Sequence, residues 1–269
     1  MKSDDLARST LEKMGYEVSP IPISDEVGRK EADFIVSYQT TSALVEAKLK
    51  ENDPKKERER EKTLSSGKPY SSDHVGGRNE TISKIISYGS QQLRSSGDKK
   101  HDFKILFFIA DCINAKVVSE QFIETIYGCT DIIHLENQLS IKKCYFYRSS
   151  DFHRKKIIDA AIVGYISNEK IHLKICLNPY SENYPILKKS EFLIPFATNI
   201  LDPIEEEKIG KAYIPDENIQ RKQDPFGEMF PQYNRMLAHL AQKYKTGKLA
   251  KADWHKPEIT ARSSSKKIS

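Results

Sequence analysis

Apolar residues at the N-terminal end of the chain follow a helical period. Leu6, Leu11 and Met14 recur near helical spacing within residues 4–14. The pattern predicts an amphipathic helix that ends at Gly15, because glycine readily adopts the backbone conformation that terminates a helix.

Shorter apolar runs then follow the spacing of strands. Residues 34–36 and 43–45 are apolar and partly β-branched, and a polar Gln-Thr-Thr-Ser stretch separates them, which predicts an antiparallel hairpin. Residues 79–96 carry one apolar stripe typical of a helix, and 104–110 are almost continuously apolar, as in a central buried strand. The remaining predicted elements are a short strand at 16–18, a helix at 117–127, strands at 132–135 and 144–147, a hairpin of 157–166 and 171–177, and a helix at 228–244.

The predicted hairpin places three charged residues on one face. If Thr40-Thr41 is a two-residue loop, Asp33 lies opposite Lys48, and Ile35 lies opposite Glu46. Side chains alternate between faces along a strand, so Asp33, Glu46 and Lys48 project to the same side. Two carboxylates on diagonal positions can share one hard cation. A loop with an odd number of residues would turn Asp33 to the other face.

Glu46 and Lys48 also have a simpler interpretation, an ion pair on a solvated strand surface. Their context argues against it, because the Glu-Ala-Lys lies inside an otherwise apolar run from Ala43 to Leu49. Charges buried in such a strand are costly unless they have partners or a metal ion.

The Asp33 and Glu46-Ala47-Lys48 pattern resembles the PD-(D/E)XK nuclease superfamily over roughly residues 5 to 110, with Ala32 in place of the name-giving proline. The resemblance implies an α/β fold, a restriction endonuclease-like core with a mixed central β-sheet flanked by helices, plus a C-terminal extension. It also implies Mg²⁺ or Mn²⁺ bound by Asp33, Glu46 and the Ala47 carbonyl, with Lys48 as the catalytic lysine.

Further site residues follow from the same resemblance. Some members add a metal ligand from the first helix, which makes Glu12 a candidate, and Glu31 shares the strand parity of Asp33. The exonuclease branch carries Gln-x-x-x-Tyr, whereas this chain has the reverse order, Tyr88-x-x-x-Gln92, which argues against membership in that branch.

A charged segment, residues 50–62, and a Ser/Gly-rich stretch, residues 65–77, follow the predicted site. They are interpreted as a helical or disordered insertion and a mobile loop that form a flap over nucleic acid, or alternatively as a solvated linker. The candidate DNA-binding residues are Lys50, Arg58, Arg60, Lys68, Arg78, Lys84 and Gln92.

Composition narrows the class of protein. The chain has 269 residues and a net charge of +5, which permits a polyanionic partner. Its four cysteines are scattered, so zinc and disulfide frameworks are not expected. No apolar run could span a bilayer and the first residues do not resemble a signal peptide, so a cytoplasmic protein is expected. The expected organisation is a nuclease core over 1–150, an extension over 151–250 that packs on or extends the core, and a disordered basic tail over 251–269.

The main functional prediction is a Mg²⁺-dependent DNA endonuclease of a restriction or phage-defence type, acting on double-stranded DNA. A homodimer is a candidate assembly because enzymes that cut both strands are commonly dimeric. No nucleotide cofactor is expected, since the chain lacks a phosphate-binding Gly-x-x-x-x-Gly-Lys-Ser/Thr loop. The alternatives are a catalytically silent DNA- or protein-binding module on the same fold, and an unrelated α/β domain whose charged trio is a surface cluster.

Overall fold

The structure of the protein is a computed structural model that describes residues 3–22, 30–136, 140–219, 221, 233–252 and 255–260. The helices are α1 (Ser3–Lys13), α2 (Pro54–Ser65), α3 (Glu80–Ser95), α4 (Ala115–Tyr127), α5 (Asp151–Arg154), α6 (Tyr184–Leu187), α7 (Pro203–Lys208) and α8 (Arg235–Lys243), with a 3-10 helix at Glu191–Phe196. The strands are β1 (Glu17–Pro20), β2 (Phe34–Tyr38), β3 (Thr41–Glu51), β4 (Tyr70–Val75), β5 (Phe103–Asp111), β6 (Thr130–His134), β7 (Ile141–Cys144), β8 (Ala160–Ser167), β9 (Lys170–Leu177), β10 (Ile200–Leu201), β11 (Ala212–Tyr213), β12 (Leu249–Ala252) and β13 (His255–Thr260).

The largest element of the fold is a seven-stranded sheet in the order β1-β2-β3-β5-β8-β9-β10. Strands β3, β5 and β8 are parallel to one another. On the outer side of β3, strands β2 and β1 continue the sheet as an antiparallel meander. Helices α3 and α4 pack on one face, while α1 and the 3-10 helix pack on the other. The predicted α/β class with a mixed sheet flanked by helices is therefore confirmed.

Strand β5 is buried on both faces, as its continuous apolar sequence predicts. Leu106 and Phe108 point to the core under α3 and α4, whereas Ile105 and Phe107 point to the core under α1. Neighbouring β3 follows the same alternation, and Leu44 lies in the core on the α3 side. Glu46 has the parity of Leu44, so its carboxyl group lies on the α3 side of the sheet.

A second, four-stranded sheet has the order β11-β7-β6-β12, and α8 packs on it through Met236, Leu237 and Leu240. Both sheets take strands from before and after residue 150, so the residues after 150 extend the sheets that the first 150 residues begin. Of the helices in the described ranges, none combines the length and apolar composition that crossing a membrane requires.

Two predicted irregular segments contain strands. Residues 65–77 were expected to form a mobile loop and 251–269 a disordered tail, yet β4 and β13 pair antiparallel over six positions, from Tyr70↔Thr260 to Val75↔His255. The end of β12 also lies in the expected tail, whereas residues 261–269 lie outside the described residues. The prediction failed because the sequences of these two strands are mostly polar and carry no periodic apolar pattern.

The strand predicted at 144–147 is also wrong. Strand β7 ends at Cys144, and the chain turns at Phe146, which has a positive φ of 59°. The rings of Tyr145 and Phe146 pack edge-on against Tyr127 in the core. These two residues are therefore apolar because they lie in a buried turn, and not because they form a strand. The predicted helix at 228–244 corresponds to α8, and its first residues, 228–232, lie outside the described ranges.

Candidate active site

The β2–β3 hairpin keeps the predicted parity but not the predicted register. Tyr38 pairs with Thr41, so the loop is Gln39-Thr40, one position earlier than expected. Gln39 adopts a φ of 52°, which permits the tight turn at that position. The loop still has two residues, so side chains keep their faces, but Asp33 now lies opposite Glu46 in the continued register. The prediction that Asp33 opposes Lys48 is therefore corrected by two residues.

Asp33 is fixed at the start of β2 by contacts with β3. Its backbone N–H donates to the Val45 carbonyl at 3.1 Å, and its carboxylate Oδ2 accepts from the Ala47 N–H at 2.7 Å. Burial raises the pKa of the Asp33 carboxyl, and the bond from Ala47 opposes that shift. The aspartate is thus held at the start of β2, where its carboxyl group also interacts with that of Glu46.

Glu46 is completely buried, with 0% of its side chain exposed. Its Oε1 accepts a short bond from the Lys48 ammonium, and its Oε2 has no donor among the described residues. Burial, assisted by the negative charge of Asp33, raises the pKa of Glu46 from 4.5 to about 8, although Lys48 opposes the shift. The Lys48 ammonium therefore partners one Glu46 oxygen, whereas the other is buried without a donor among the described residues. The interpretation of the trio as a surface ion pair does not describe this residue.

Lys48 and Gln92 complete the polar cluster. The Lys48 Nζ also donates to Gln92 Oε1 at 2.9 Å, and the Gln92 amide nitrogen donates to the backbone carbonyl of Glu31 at 3.3 Å. Lys48 is about one-quarter exposed, at 26%, so its ammonium lies at the boundary between the core and solvent. The predicted neighbourhood of Gln92 and the three charged residues is present.

The position of α3 over the cluster depends on Gly89. A Cβ atom there would lie 2.5 Å from Leu106 Cδ1 and 3.5 Å from Glu46 Cγ. The absence of a side chain therefore allows the helix to cover the buried carboxyl group closely.

We expect Gly89→Ala to lower stability by about 1–3 kcal/mol, because overpacking against the fully buried Leu106 outweighs the gain of about 1 kcal/mol in helix propensity. Urea denaturation measures the change. Lys84→Ala, at an exposed position of the same helix, is the matched control and should stay within about 0.5 kcal/mol of the wild type. Equal stability of Gly89→Ala and the wild type would contradict the close approach.

The donor set fits a hard divalent cation. Asp33 and Glu46 lie opposite each other, both are oxygen donors, and one Glu46 oxygen is buried without a partner among the described residues. Among those residues there is no group of three or more His, Cys, Asp or Glu side chains suited to a metal ion. Two carboxylates are nevertheless a common side-chain complement for Mg²⁺, which keeps several waters and takes substrate phosphate oxygens.

Two further acidic candidates have other partners. Glu12 is about half exposed, at 45%, and forms an i,i+4 ion pair with Arg8 at 2.8 Å, so it points along α1 rather than into the cluster. Glu31 forms an ion pair with Lys99 at 3.2 Å. The acidic residue of α1 that influences Asp33 is Asp4, whose charge raises the pKa of the Asp33 carboxyl.

The candidate DNA-binding residues are spread over several elements. Lys50 shares the face of Glu46 and Lys48 on β3. Arg78 is largely buried and bonds to Ser83 at 2.6 Å, with Asp151 at 3.6 Å, so it joins α3 to α5. Arg58 and Arg60 lie on α2, Lys68 follows α2, and Lys84 lies on α3. Of these four residues, Arg60 is half-buried and the others are exposed.

One residue of the site, Lys30, has no clear signal in the sequence. Lys30 lines both clefts beside the cluster, and Tyr88 lies exposed in one of them. Lys30 precedes β2 in an irregular segment, where no periodic pattern assigns a side chain to a face.

Comparisons with known proteins identify no relative. No protein-family model matches the chain, and neither a curated protein nor a solved structure shows significant similarity to it. The functional argument therefore depends on the residues and geometry of the site.

Proposed function

We propose that the protein is a Mg²⁺- or Mn²⁺-dependent DNA endonuclease whose active site is Asp33, Glu46 and Lys48. One observation carries the proposal: Glu46 is buried on the sheet opposite Asp33 with an oxygen that lacks a donor among the described residues. Burying an ionisable group in this state costs free energy, and a cation coordinated by both carboxylates would offset that cost.

Asp33 and Glu46 would hold the metal, with the Ala47 carbonyl as the further ligand that the family resemblance implies. A bound Mg²⁺ would polarise the scissile phosphate and lower the pKa of a coordinated water. The chain's own residues prepare this site before any ligand binds. The Ala47 N–H orients the Asp33 carboxylate, and Gln92 holds the Lys48 side chain beside Glu46.

Lys48 would stabilise negative charge that develops on the phosphate. Its ammonium donates to Glu46 and Gln92 and remains partly accessible from solvent. A preorganised cation in a site of low dielectric stabilises transition-state charge more than the same cation in water. The positive net charge of +5 permits a polyanion such as DNA to bind, and binding should weaken as salt increases. Restriction or phage defence remains the proposed setting, with a homodimer if both strands are cut.

Cleavage of plasmid and oligonucleotide DNA, with and without Mg²⁺ or Mn²⁺, tests the proposal. We expect metal-dependent cleavage by the wild type and a rate roughly 100-fold lower for Lys48→Ala, because one charge-stabilising donor is lost. Lys208→Ala is the control, since Lys208 lies on α7, is 63% exposed and is not among the candidate DNA-binding residues. DNA binding that persists without cleavage in any metal would favour the silent binding module. The absence of both would contradict the proposal.

A further inference from the structure

Two clefts flank the charged cluster and differ in their lining. The α1-side cleft has a volume of about 380 Å³ and contains Asp33. The α3-side groove has a volume of about 440 Å³ and is lined by Lys30, Lys48, Tyr88, Gln91 and Gln92, among other residues. Lys30 belongs to both, so the clefts meet beside the cluster.

Charge distinguishes the two as paths for a polyanion. Four carboxylates and two cationic side chains line the α1-side cleft. The carboxylates are those of Asp4, Asp5, Glu31 and Asp33, and the cations are Arg8 and Lys30. The α3-side groove has two lysines and no carboxylate among its described lining residues. The negatively charged phosphodiester backbone is attracted to the α3-side groove and repelled by the carboxylates of the α1-side cleft. The strand that leaves the active site should therefore follow α3.

Tyr88 is the feature of the α3-side groove that fold stability does not explain. The residue is 62% exposed, so most of its surface faces solvent. It lies one helical turn before Gln92, so both side chains are on neighbouring positions of one α3 face. A large, solvated ring beside a groove of matching charge is typical of a surface on which a nucleobase stacks.

We propose that the α3-side groove holds an unstacked nucleotide next to the scissile phosphate, with its base on the Tyr88 ring. The inference rests on the proposed nuclease function and specifies its substrate class. In a continuous duplex, neighbouring base pairs cover both faces of every base, so this contact requires unpaired nucleotides. The preferred substrate is then a single strand, a flap or a frayed end, and not the continuous duplex expected from the sequence. Gln91, exposed beside the ring, offers an amide for the base edge.

Binding in chelator, where no cleavage occurs, tests the inference apart from activity. Fluorescence anisotropy is measured with a labelled single-stranded oligonucleotide and with a fully paired, blunt-ended duplex of the same sequence whose terminal base pairs are G·C. Tyr88→Ala should weaken binding of the single strand by roughly five- to 150-fold, whereas Tyr88→Phe should stay within about twofold of the wild type. Binding of the duplex should be unchanged. Tyr233→Ala is the matched control, because Tyr233 is similarly exposed, at 60%, and directly precedes the N-cap of α8.

An abasic-site scan separates stacking from a general effect on the surface. One abasic position in the single strand should weaken binding to the wild type and leave Tyr88→Ala unaffected, because the variant has no ring for the missing base to contact. Equal losses for the single strand and the duplex in Tyr88→Ala, or no abasic position that depends on Tyr88, would overturn the inference.

Cleavage of the same oligonucleotides in Mg²⁺ or Mn²⁺ distinguishes this failure from failure of the proposed function. If the wild type cuts DNA and Tyr88→Ala binds and cuts equally well, the proposed nuclease function stands and the proposed role of the α3-side groove is wrong. A protein that neither binds nor cuts any of the substrates overturns both.

Discussion

Replacing Glu46 with glutamine should stabilise the metal-free protein at neutral pH. Burial raises the pKa of Glu46 from 4.5 to about 8. Between these values the folded state keeps a proton that the unfolded state releases, so the stability of the wild type falls as pH rises from about 4.5 to 8. By pH 7 this loss amounts to roughly 3 kcal/mol. Glutamine does not titrate and therefore removes the loss.

The same substitution should abolish cleavage. Glutamine keeps the size of Glu46 but presents a neutral amide to the cation, so the contribution of the metal to transition-state stabilisation, several kcal/mol, is lost. We expect the rate to fall on the order of a thousandfold or more. A variant that is more stable yet inactive is the pattern expected of a residue retained for chemistry at the expense of stability.

Thermal denaturation across pH, in chelator, measures the first effect, and DNA cleavage measures the second. At pH 8 the melting temperature of Glu46→Gln should exceed that of the wild type by roughly 5–10 °C, and the difference should shrink toward pH 5. Glu12→Gln is the matched control, because Glu12 is a half-exposed glutamate paired with Arg8. It should change neither quantity. A difference in melting temperature between Glu46→Gln and the wild type that stays the same at every pH would contradict the raised pKa of the buried Glu46.

The sequence was sufficient to place the three charged residues on one face because strand alternation needs only parity. Any two-residue loop places Asp33, Glu46 and Lys48 on one face, so an error of one position in the turn left the faces unchanged. The register itself depends on which residue accepts a positive φ, and Gln39 carries no strong signal for that conformation.

The periodic apolar pattern of a helix shows which face of the helix is buried. It does not show which end of the helix lies next to the active site. The sequence therefore could not distinguish Glu12 from Asp4 on α1, although eight residues, about 12 Å along the axis, separate them. The mostly polar β4–β13 ribbon was missed for a related reason. Its partners are about 180 residues apart in the chain, and pairing of this kind leaves no local pattern.

Metal affinity should depend steeply on pH. A cation can bind Glu46 only after the carboxyl group has lost its proton, so metal and proton compete below the raised pKa of about 8. The apparent affinity for Mn²⁺ should rise roughly tenfold for each pH unit until it approaches that value, or about 150-fold between pH 5.5 and 8. Above pH 8 the affinity should level off.

Isothermal titration calorimetry with Mn²⁺, in buffers of different ionisation enthalpy, measures both the affinity and the protons released. Close to one proton should leave for each ion bound at pH 6 to 7, and almost none at pH 9. Glu46→Gln should lose the binding, whereas Glu12→Gln should keep both the affinity and the pH slope of the wild type. Binding of Mn²⁺ without proton release at pH 6 would show that the cation lies away from Glu46, and the active-site assignment would then be wrong. A release that follows the Glu46 pKa would instead connect the buried, incompletely paired carboxyl group directly to the metal.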